Sequence, residues 1–314
     1  MSAAVLISFA EVARWYGEII ALNGVSFTLE PGVTGLLGPN GAGKTTILRL
    51  ITGQLRPSLG RVSVFGLDPF QSPEVFRRLG YCPDGDALYD EMTGFEFLEL
   101  AGRLAGFDAS EARRRADRAL ERMALTADAA RRCGGYSKGM RQRLRLAQAL
   151  IHEPEVLILD EPMSGLDPVG RHRIVELVRS WGESGGTVLV SSHILHEIEA
   201  MTKRILLVQG GRIRAEGDVR EIRDLMDQKP HRVAIRCADP RRVAASLMGL
   251  AYVDSVALGD KGVGVLVETR KPDEFFAFLP QHLLDLGVEV DEVSAVDASL
   301  SAVFGYLTRP GDAA

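Results

Sequence analysis

The sequence predicts an α/β core, a parallel sheet packed between helices, followed by a smaller α+β layer. Three observations predict it. VLILD at 156–160 and TVLVSS at 187–192 are bare apolar runs, the texture of strands buried on both faces. A glycine loop at 38–46 stands between a short apolar strand, VTGLLG, and a segment with helical spacing. After about residue 225 the pattern becomes strand, helix, strand, strand, helix, strand.

Length and composition agree. The 314 residues suggest about two domains at roughly 150 residues each. With 46% hydrophobic and 25% charged residues the chain can bury a core, which excludes a disordered or collagenous chain. A net charge of −5 supplies no overall positive field to draw it onto nucleic acid or anionic lipid. No run of 18 apolar residues occurs, and the opening MSAAVLISFA lacks the basic flank and full hydrophobic stretch of a signal peptide. A cytosolic chain without a membrane span is expected. Cys82, Cys133 and Cys237 are far apart and show no metal or redox spacing, so reduced thiols are expected.

Taken in order, residues 5–30 alternate polar and apolar in short pieces, which predicts antiparallel strands joined by Gly and Asn-Gly turns. The strand, glycine loop and helix follow, with Ile47, Leu50 and Ile51 at helical spacing. A second helical block opens at Thr93, which has capping-box spacing with Glu96. Its apolar stripe is Phe97, Leu98, Ala101 and Leu104, and an arginine-rich helical texture persists to about 151. The two bare strands come next. The last third reads HRVAIRC as strand, DPRRVAASLMGL as helix, VDSVAL and GVGVLVETR as strands across a GDKG turn, PDEFFAFLPQHLLDLG as helix and VEVDEVSAV as extended. This is the order of a ferredoxin-like layer, with one further helix expected over SLSAVFGYL. A boundary near Asp227 to Pro230 divides the chain into domains 1–226 and 229–314, the first with a helical subdomain at about 88–152.

The chemistry starts in the glycine loop. GPNGAGKTT at 38–46 matches G-x-x-x-x-G-K-[ST] in the strand-to-helix context that motif requires. Gly38, Gly41 and Gly43 let the backbone curl. The N–H groups of Gly38, Pro39, Asn40, Gly41, Ala42, Gly43, Lys44, Thr45 and Thr46, proline excepted, can then converge on phosphate at a helix N-terminus. Lys44 adds charge toward the outer phosphates, and the Thr45 hydroxyl suits a Mg²⁺ position. Asp160 ends its strand at the carboxyl edge, where a carboxylate can hold Mg²⁺. Glu161 follows, placed to orient or deprotonate a water for in-line attack.

Together with YSKGMRQR at 136–143, SGLDP at 164–168 and SSH at 191–193, these residues resemble the ATP-binding subunit of ABC transporters, in order from about residue 5 to residue 225. The late α+β segment and the YSKGM signature look like those of exporters with type-2 permeases. The resemblance implies a RecA-like P-loop core with an antiparallel β subdomain and a helical signature subdomain. It implies ATP and Mg²⁺ as cofactors and two copies of the chain closing on two ATPs. Hydrolysis then drives a separate integral membrane permease, which would keep the chain peripheral on the inner face of the cell membrane. Residue by residue it implies His193 as the γ-phosphate contact that holds Glu161 and its water in line, and Ser137 and Gly139 as a grip on the other copy's ATP. Asp167 would be the acid that couples the two sites, and Tyr16 the adenine stacker, with Trp15 as rival. The family's LSGGQ is here Tyr136, Ser137, Lys138, Gly139 and Met140. At Asp84 the family has glutamine; an aspartate is also an oxygen ligand, so service to Mg²⁺ is expected of Asp84 as well.

Partner surfaces are less marked. The arginines at 113, 114, 115, 118, 122, 131, 132, 141, 143 and 145 read mainly as a solvated helix face paired with Glu111, Asp117 and Glu121. No aromatic interleaving points to nucleic acid. By resemblance the permease docks near Ala87–Glu99, with Phe95 and Phe97 as anchors, although Phe97 reads equally well as core. Two other readings remain at this level: a nucleotide-gated regulatory or tethering subunit with weak ATPase, and an ABC ATPase without a transporter.

Overall fold

The computed structural model describes residues 5–85, 87–224, 230–259 and 264–296. The chain divides into two compact units, Met1–Glu216 and Gly217–Ala314. The division falls before the expected boundary at 227–230. Composition marks the polar stretch ahead of Pro230, whereas the contacts change at Gly217, whose φ of 129° only glycine adopts readily.

In the first unit, β1 (Ile7–Tyr16), β2 (Ile19–Leu29) and β4 (Leu59–Val64) form an antiparallel sheet in the order β2-β1-β4. Asn23-Gly24 is not a turn. It lies inside β2, where the register slips between Val12↔Val25 and Arg14↔Leu22 and Gly24 takes φ 64°. The residues form a bulge in a long strand.

The second sheet has the order β5-β6-β7-β3-β8-β9, built from β3 (Gly32–Leu37), β5 (Leu79–Cys82), β6 (Val156–Asp160), β7 (Thr187–Ser192), β8 (Arg204–Gln209) and β9 (Arg212–Asp218). The pairs β5/β6, β6/β7, β7/β3 and β3/β8 are parallel. Every residue of β6 and β7 is buried, as their bare apolar sequences require. Helix α1 (Lys44–Ile51) buries Ile47, Leu48, Leu50 and Ile51 in one core cluster with strands of both sheets, so the start of α1 is fixed from two sides.

The helical block resolves into α2 (Gly94–Leu104), α3 (Ala109–Arg122) and α4 (Lys138–Leu150). Thr93 and Glu96 close the expected capping box at the start of α2. Phe97 and Leu98 are buried, whereas Leu104, expected in the same stripe, is 80% exposed at the last turn. Ala112, Ala116 and Leu120 form the buried face of α3, and Leu144 and Ala147 are fully buried on α4. Helices α5 (Pro168–Glu183) and α6 (Leu195–Glu199) flank β7 in sequence.

The second unit holds α7 (Val219–Asp224), β10 (His231–Cys237), α8 (Pro240–Leu247), β11 (Val253–Leu258), β12 (Gly264–Thr269), α9 (Pro272–Leu286) and β13 (Val290–Ala295). Its antiparallel sheet has the order β11-β12-β10-β13. Val233, Ile235, Val265 and Val267 pack with Val243, Leu247, Phe275 and Leu279 of α8 and α9 in a separate core. This is the β-α-β-β-α-β arrangement that the sequence predicts. The helix expected over SLSAVFGYL lies outside the described residues.

Candidate functional site

Strand β3 ends at Leu37, and the chain then curls through Gly38–Gly43 before α1 begins at Lys44. Gly38, Gly41 and Gly43 take φ 157°, 79° and 112°. Two of them also lack room for a side chain. A Cβ on Gly38 would sit 2.3 Å from the Val208 carbonyl oxygen, and one on Gly43 would sit 2.9 Å from that of Ala21. The loop is braced by main chain from elsewhere. Gly211, in the tight turn between β8 and β9, donates its N–H to Ala42 O at 3.0 Å and accepts from Asn23 N at 2.8 Å. Peptide groups of two distant segments, residues 21–23 and 208–211, therefore set the shape of the loop.

A pocket of about 220 Å³ opens over this loop, lined by Ala21, Pro39 through Thr46, Asp84, Asp160 and Glu161. Lys44 is buried beneath it. Its Nζ donates to Gly38 O at 2.6 Å and Pro39 O at 3.3 Å and stands 4.0 Å from Glu161 Oε1. Burial lowers the Lys44 pKa, against the pull of Glu161 and Asp160. The Thr45 hydroxyl donates to Asp160 Oδ2 at 3.3 Å. The other oxygen of Asp160, Oδ1, accepts a 2.5 Å hydrogen bond from Ser191 Oγ.

Glu161 occupies the left-handed region at φ 48°, strained for a residue with a side chain. Its N–H donates to Ser191 Oγ at 3.0 Å, and its Oε2 lies 3.0 Å from His193 Nδ1. Burial raises the Glu161 pKa, and the hydrogen bond and charge of His193 partly oppose that. His193 itself is half exposed. Beneath it, Ser192 Oγ donates to the buried Glu197 at 2.8 Å and accepts from Ile194 N at 3.0 Å, which fixes the bend carrying the imidazole.

Asp84 lines the pocket as an exposed residue after β5, its Oδ1 accepting from Gly85 N at 2.8 Å. Among the described residues no three His, Cys, Asp or Glu side chains gather as a metal cage. The remaining sequence-level candidates do not line this pocket. Tyr16 is 39% exposed at the tip of the β1–β2 hairpin, with the Arg14 guanidinium 4.9 Å from its ring centroid. Ser137 caps α4, accepting from Met140 N at 3.2 Å, and Gly139 sits in its first turn. Asp167 caps α5, accepting from Gly170 N at 2.9 Å.

The ABC transporter family profile matches residues 22–164, which contain the loop and both strand-ending acids. The chain is 39% identical over 295 residues to the daunorubicin resistance ATP-binding protein DrrA3 of Streptomyces coeruleorubidus, covering 93% of this chain and 92% of that one. This chain belongs to the ABC transporter ATP-binding proteins. As a member of that family it is an ATPase. It is also 39% identical over 213 residues to a Nod factor export ATP-binding protein I of Burkholderia lata, covering 67% of this chain and 70% of that one. Among solved structures, an ATP-binding subunit of an ABC transporter superposes with a TM-score of 0.65 at 31% identity, covering 70% of this chain and 92% of that one.

The contacts of several residues in and beyond the surroundings of this site are not evident from sequence alone. Ser191 touches both strand-ending acids, yet a serine in a buried strand carries no local signal. Arg145 is not part of a solvated face: it is buried, and its Nη2 donates to Pro83 O at 2.7 Å, bracing the turn before Asp84. Arg143 similarly donates to the carbonyl oxygens of Met123 and Ala124 at 2.9 and 3.0 Å. Tyr136 is buried, its hydroxyl donating to Asp128 O at 2.8 Å, and burial pushes its pKa up to about 12. Phe97 belongs to the core; its ring centroid lies 6.2 Å from that of the exposed Tyr89.

Proposed function

We propose that this chain is the ATP-hydrolysing subunit of an ABC export system, closing as a pair of copies around two Mg·ATP and driving a separate membrane permease. The observation that carries the reading is the convergence of Lys44, Thr45, Asp160 and Glu161 on one pocket at the N-terminus of α1, with His193 held against Glu161 beside it. Export is supported by the relatives, one carrying daunorubicin resistance in its name and one Nod factor export. No described helix is long and apolar enough to cross a membrane, which leaves translocation to a partner.

The residues fit Mg²⁺. A hydroxyl and carboxylate oxygens are hard donors, and one or two carboxylates with substrate phosphates, rather than a cage, are how that ion is usually held. Thr45 and Asp160 would hold it, with Asp84 as a further oxygen donor, and when bound it neutralises charge on the outer phosphates.

In this reading the loop N–H groups and the positive end of α1 bind the phosphate chain. Lys44 Nζ exchanges the Gly38 and Pro39 carbonyl oxygens for phosphate oxygens, and Tyr16 stacks on adenine. Glu161 Oε accepts a proton from the water that attacks the γ-phosphorus, and its burial, by raising its pKa, makes it a better base than a solvated glutamate. His193 holds that carboxylate in line through Nδ1. Ser137 and Gly139, at the positive end of α4, grip the ATP of the facing copy, and Asp167 joins the two sites. The chain then lies on the inner face of the membrane through its permease. The test is steady-state ATP hydrolysis by the chain co-purified with its permease, beside the Glu161→Gln variant. A complex that binds ATP without turnover would reassign the chain as a nucleotide-gated tether.

A further inference from the structure

The strongest unassigned relationship in the molecule is the position of Ser191. Its side chain has no exposure to solvent, and its single hydroxyl serves two partners, the last residue of β6 and the residue after it. It donates to Asp160 Oδ1 at 2.5 Å and accepts from Glu161 N at 3.0 Å. The parallel register pairs Asp160 with Ser191, so the contact is a product of sheet alignment rather than of a flexible side chain.

Two consequences follow from the geometry. With Oδ1 engaged by Ser191, the carboxylate of Asp160 cannot rotate freely, and Oδ2 is the oxygen left on the Thr45 side, 3.3 Å from that hydroxyl. The Glu161 peptide sits at φ 48°, a conformation that persists only where its surroundings enforce it, and the Ser191 hydroxyl satisfies the N–H of that residue. One hydroxyl thereby sets both the oxygen that Asp160 presents and the direction in which Glu161 leaves the strand. Neighbouring Ser192 does neither, because its hydroxyl is committed to Glu197 and Ile194.

We infer that Ser191 is a positioning residue for the hydrolytic site, orienting Asp160 toward the metal position and Glu161 toward the attacking water. This rests on the roles of Asp160 and Glu161 given above. Outer-shell groups that orient a ligating carboxylate typically matter by 10–100-fold in metal affinity or activity.

The experiment compares Ser191→Ala and Ser191→Thr in the full chain. Thr187→Val, which alters another buried hydroxyl of β7 that has no hydrogen-bond partner, serves as the control for strand packing. Ser191→Ala is expected to raise the Mg²⁺ concentration for half-maximal ATP hydrolysis by about tenfold and to lower kcat by about tenfold. Equilibrium binding of ATP in excess chelator should stay within about twofold of the parent, because the loop N–H groups hold the phosphates without the metal. Ser191→Thr, which keeps the hydroxyl, restores the Mg²⁺ dependence, and Thr187→Val leaves it unchanged. Wild-type Mg²⁺ dependence and kcat in Ser191→Ala overturn the inference. So does a chelator-insensitive loss of ATP binding, or a shift that Thr187→Val reproduces. Glu161→Gln run alongside separates the two levels: full turnover there removes the reading of Glu161, whereas a silent Ser191→Ala beside an inactive Glu161→Gln removes only Ser191.

Discussion

His193 Nδ1 lies 3.0 Å from Glu161 Oε2, although the imidazole is half exposed and the carboxylate largely buried. The two residues directly follow adjacent parallel strands, β7 and β6, so the sheet itself brings an exposed hydrogen-bonding group to a shielded carboxylate. A lone glutamate at this depth would be costly to ionise; the histidine and Lys44 offset part of that cost.

Replacing Glu161 by Gln keeps an oxygen to face His193 and removes the proposed proton acceptor. ATP turnover should fall by roughly 10²- to 10⁴-fold while ATP binding persists. Steady-state hydrolysis measured beside equilibrium nucleotide binding decides it; equal loss of both would mean that the residue serves binding instead.

The same substitution has a pH signature in stability. Glu161 has a raised pKa in the folded chain, so between the unfolded value of 4.5 and that raised value the folded state binds more protons, and stability falls as pH rises. Glutamine removes that loss. The melting temperature of Glu161→Gln relative to the parent should therefore be highest at neutral pH and shrink as pH drops toward 4.5. Thermal melts across that range check it, and a difference that grows on acidification contradicts it.

Asp84 offers a short carboxylate to the pocket over the glycine loop. Asp84→Ala should raise the Mg²⁺ requirement for hydrolysis a few-fold, on the order expected for losing one of several oxygen donors. Titration of activity with Mg²⁺ at saturating ATP reads this directly. An unchanged midpoint would remove Asp84 from the metal's surroundings.

Gly43 combines φ 112° with a Cβ position 2.7 Å from Leu22 Cδ2. Gly43→Ala should abolish measurable ATP binding and cost about 1–3 kcal/mol of stability from backbone strain. Denaturant melts together with nucleotide binding test both halves of the claim.

Tyr136 occupies the first position of the signature segment as a buried anchor. Tyr136→Phe removes one of the two donors to the Asp128 carbonyl, leaving the Arg131 N–H at 2.9 Å, and should cost about 1 kcal/mol, a melting shift of roughly 2–4 °C, with chelator-independent ATP binding intact.

How much of this was legible depended on whether the signal is local. The phosphate loop, the two bare strands and the acids ending one of them lie in contiguous segments whose composition suffices, and so does the capping box of Thr93 and Glu96. The second unit was legible because its central strands, β10 and β12, alternate in burial. Ser191, Arg143 and Arg145 were not, because their partners lie 31, 20 and 62 residues away, and only the folded sheet and the packed helices make those hydroxyl and guanidinium groups specific. Asn23-Gly24 misled for a related reason. The dipeptide usually turns a chain, but here the register with β1 continues on either side of it and absorbs the left-handed glycine as a bulge.

The bracing of the phosphate loop by Gly211 also bears on which mutations the site can withstand. The Ala42 carbonyl, the Asn23 amide and the Gly211 peptide are present whatever side chains those positions carry, proline at the two donors excepted. Genetic drift at Ala42 or Asn23 therefore leaves the scaffold's hydrogen bonds in place, and damage must come through crowding. Of these three positions Gly211 is the one where crowding is least tolerable: a methyl group there would meet the Ala21 carbonyl oxygen at 2.6 Å and wedge the hairpin away from the loop, although no atom of Gly211 lines the pocket.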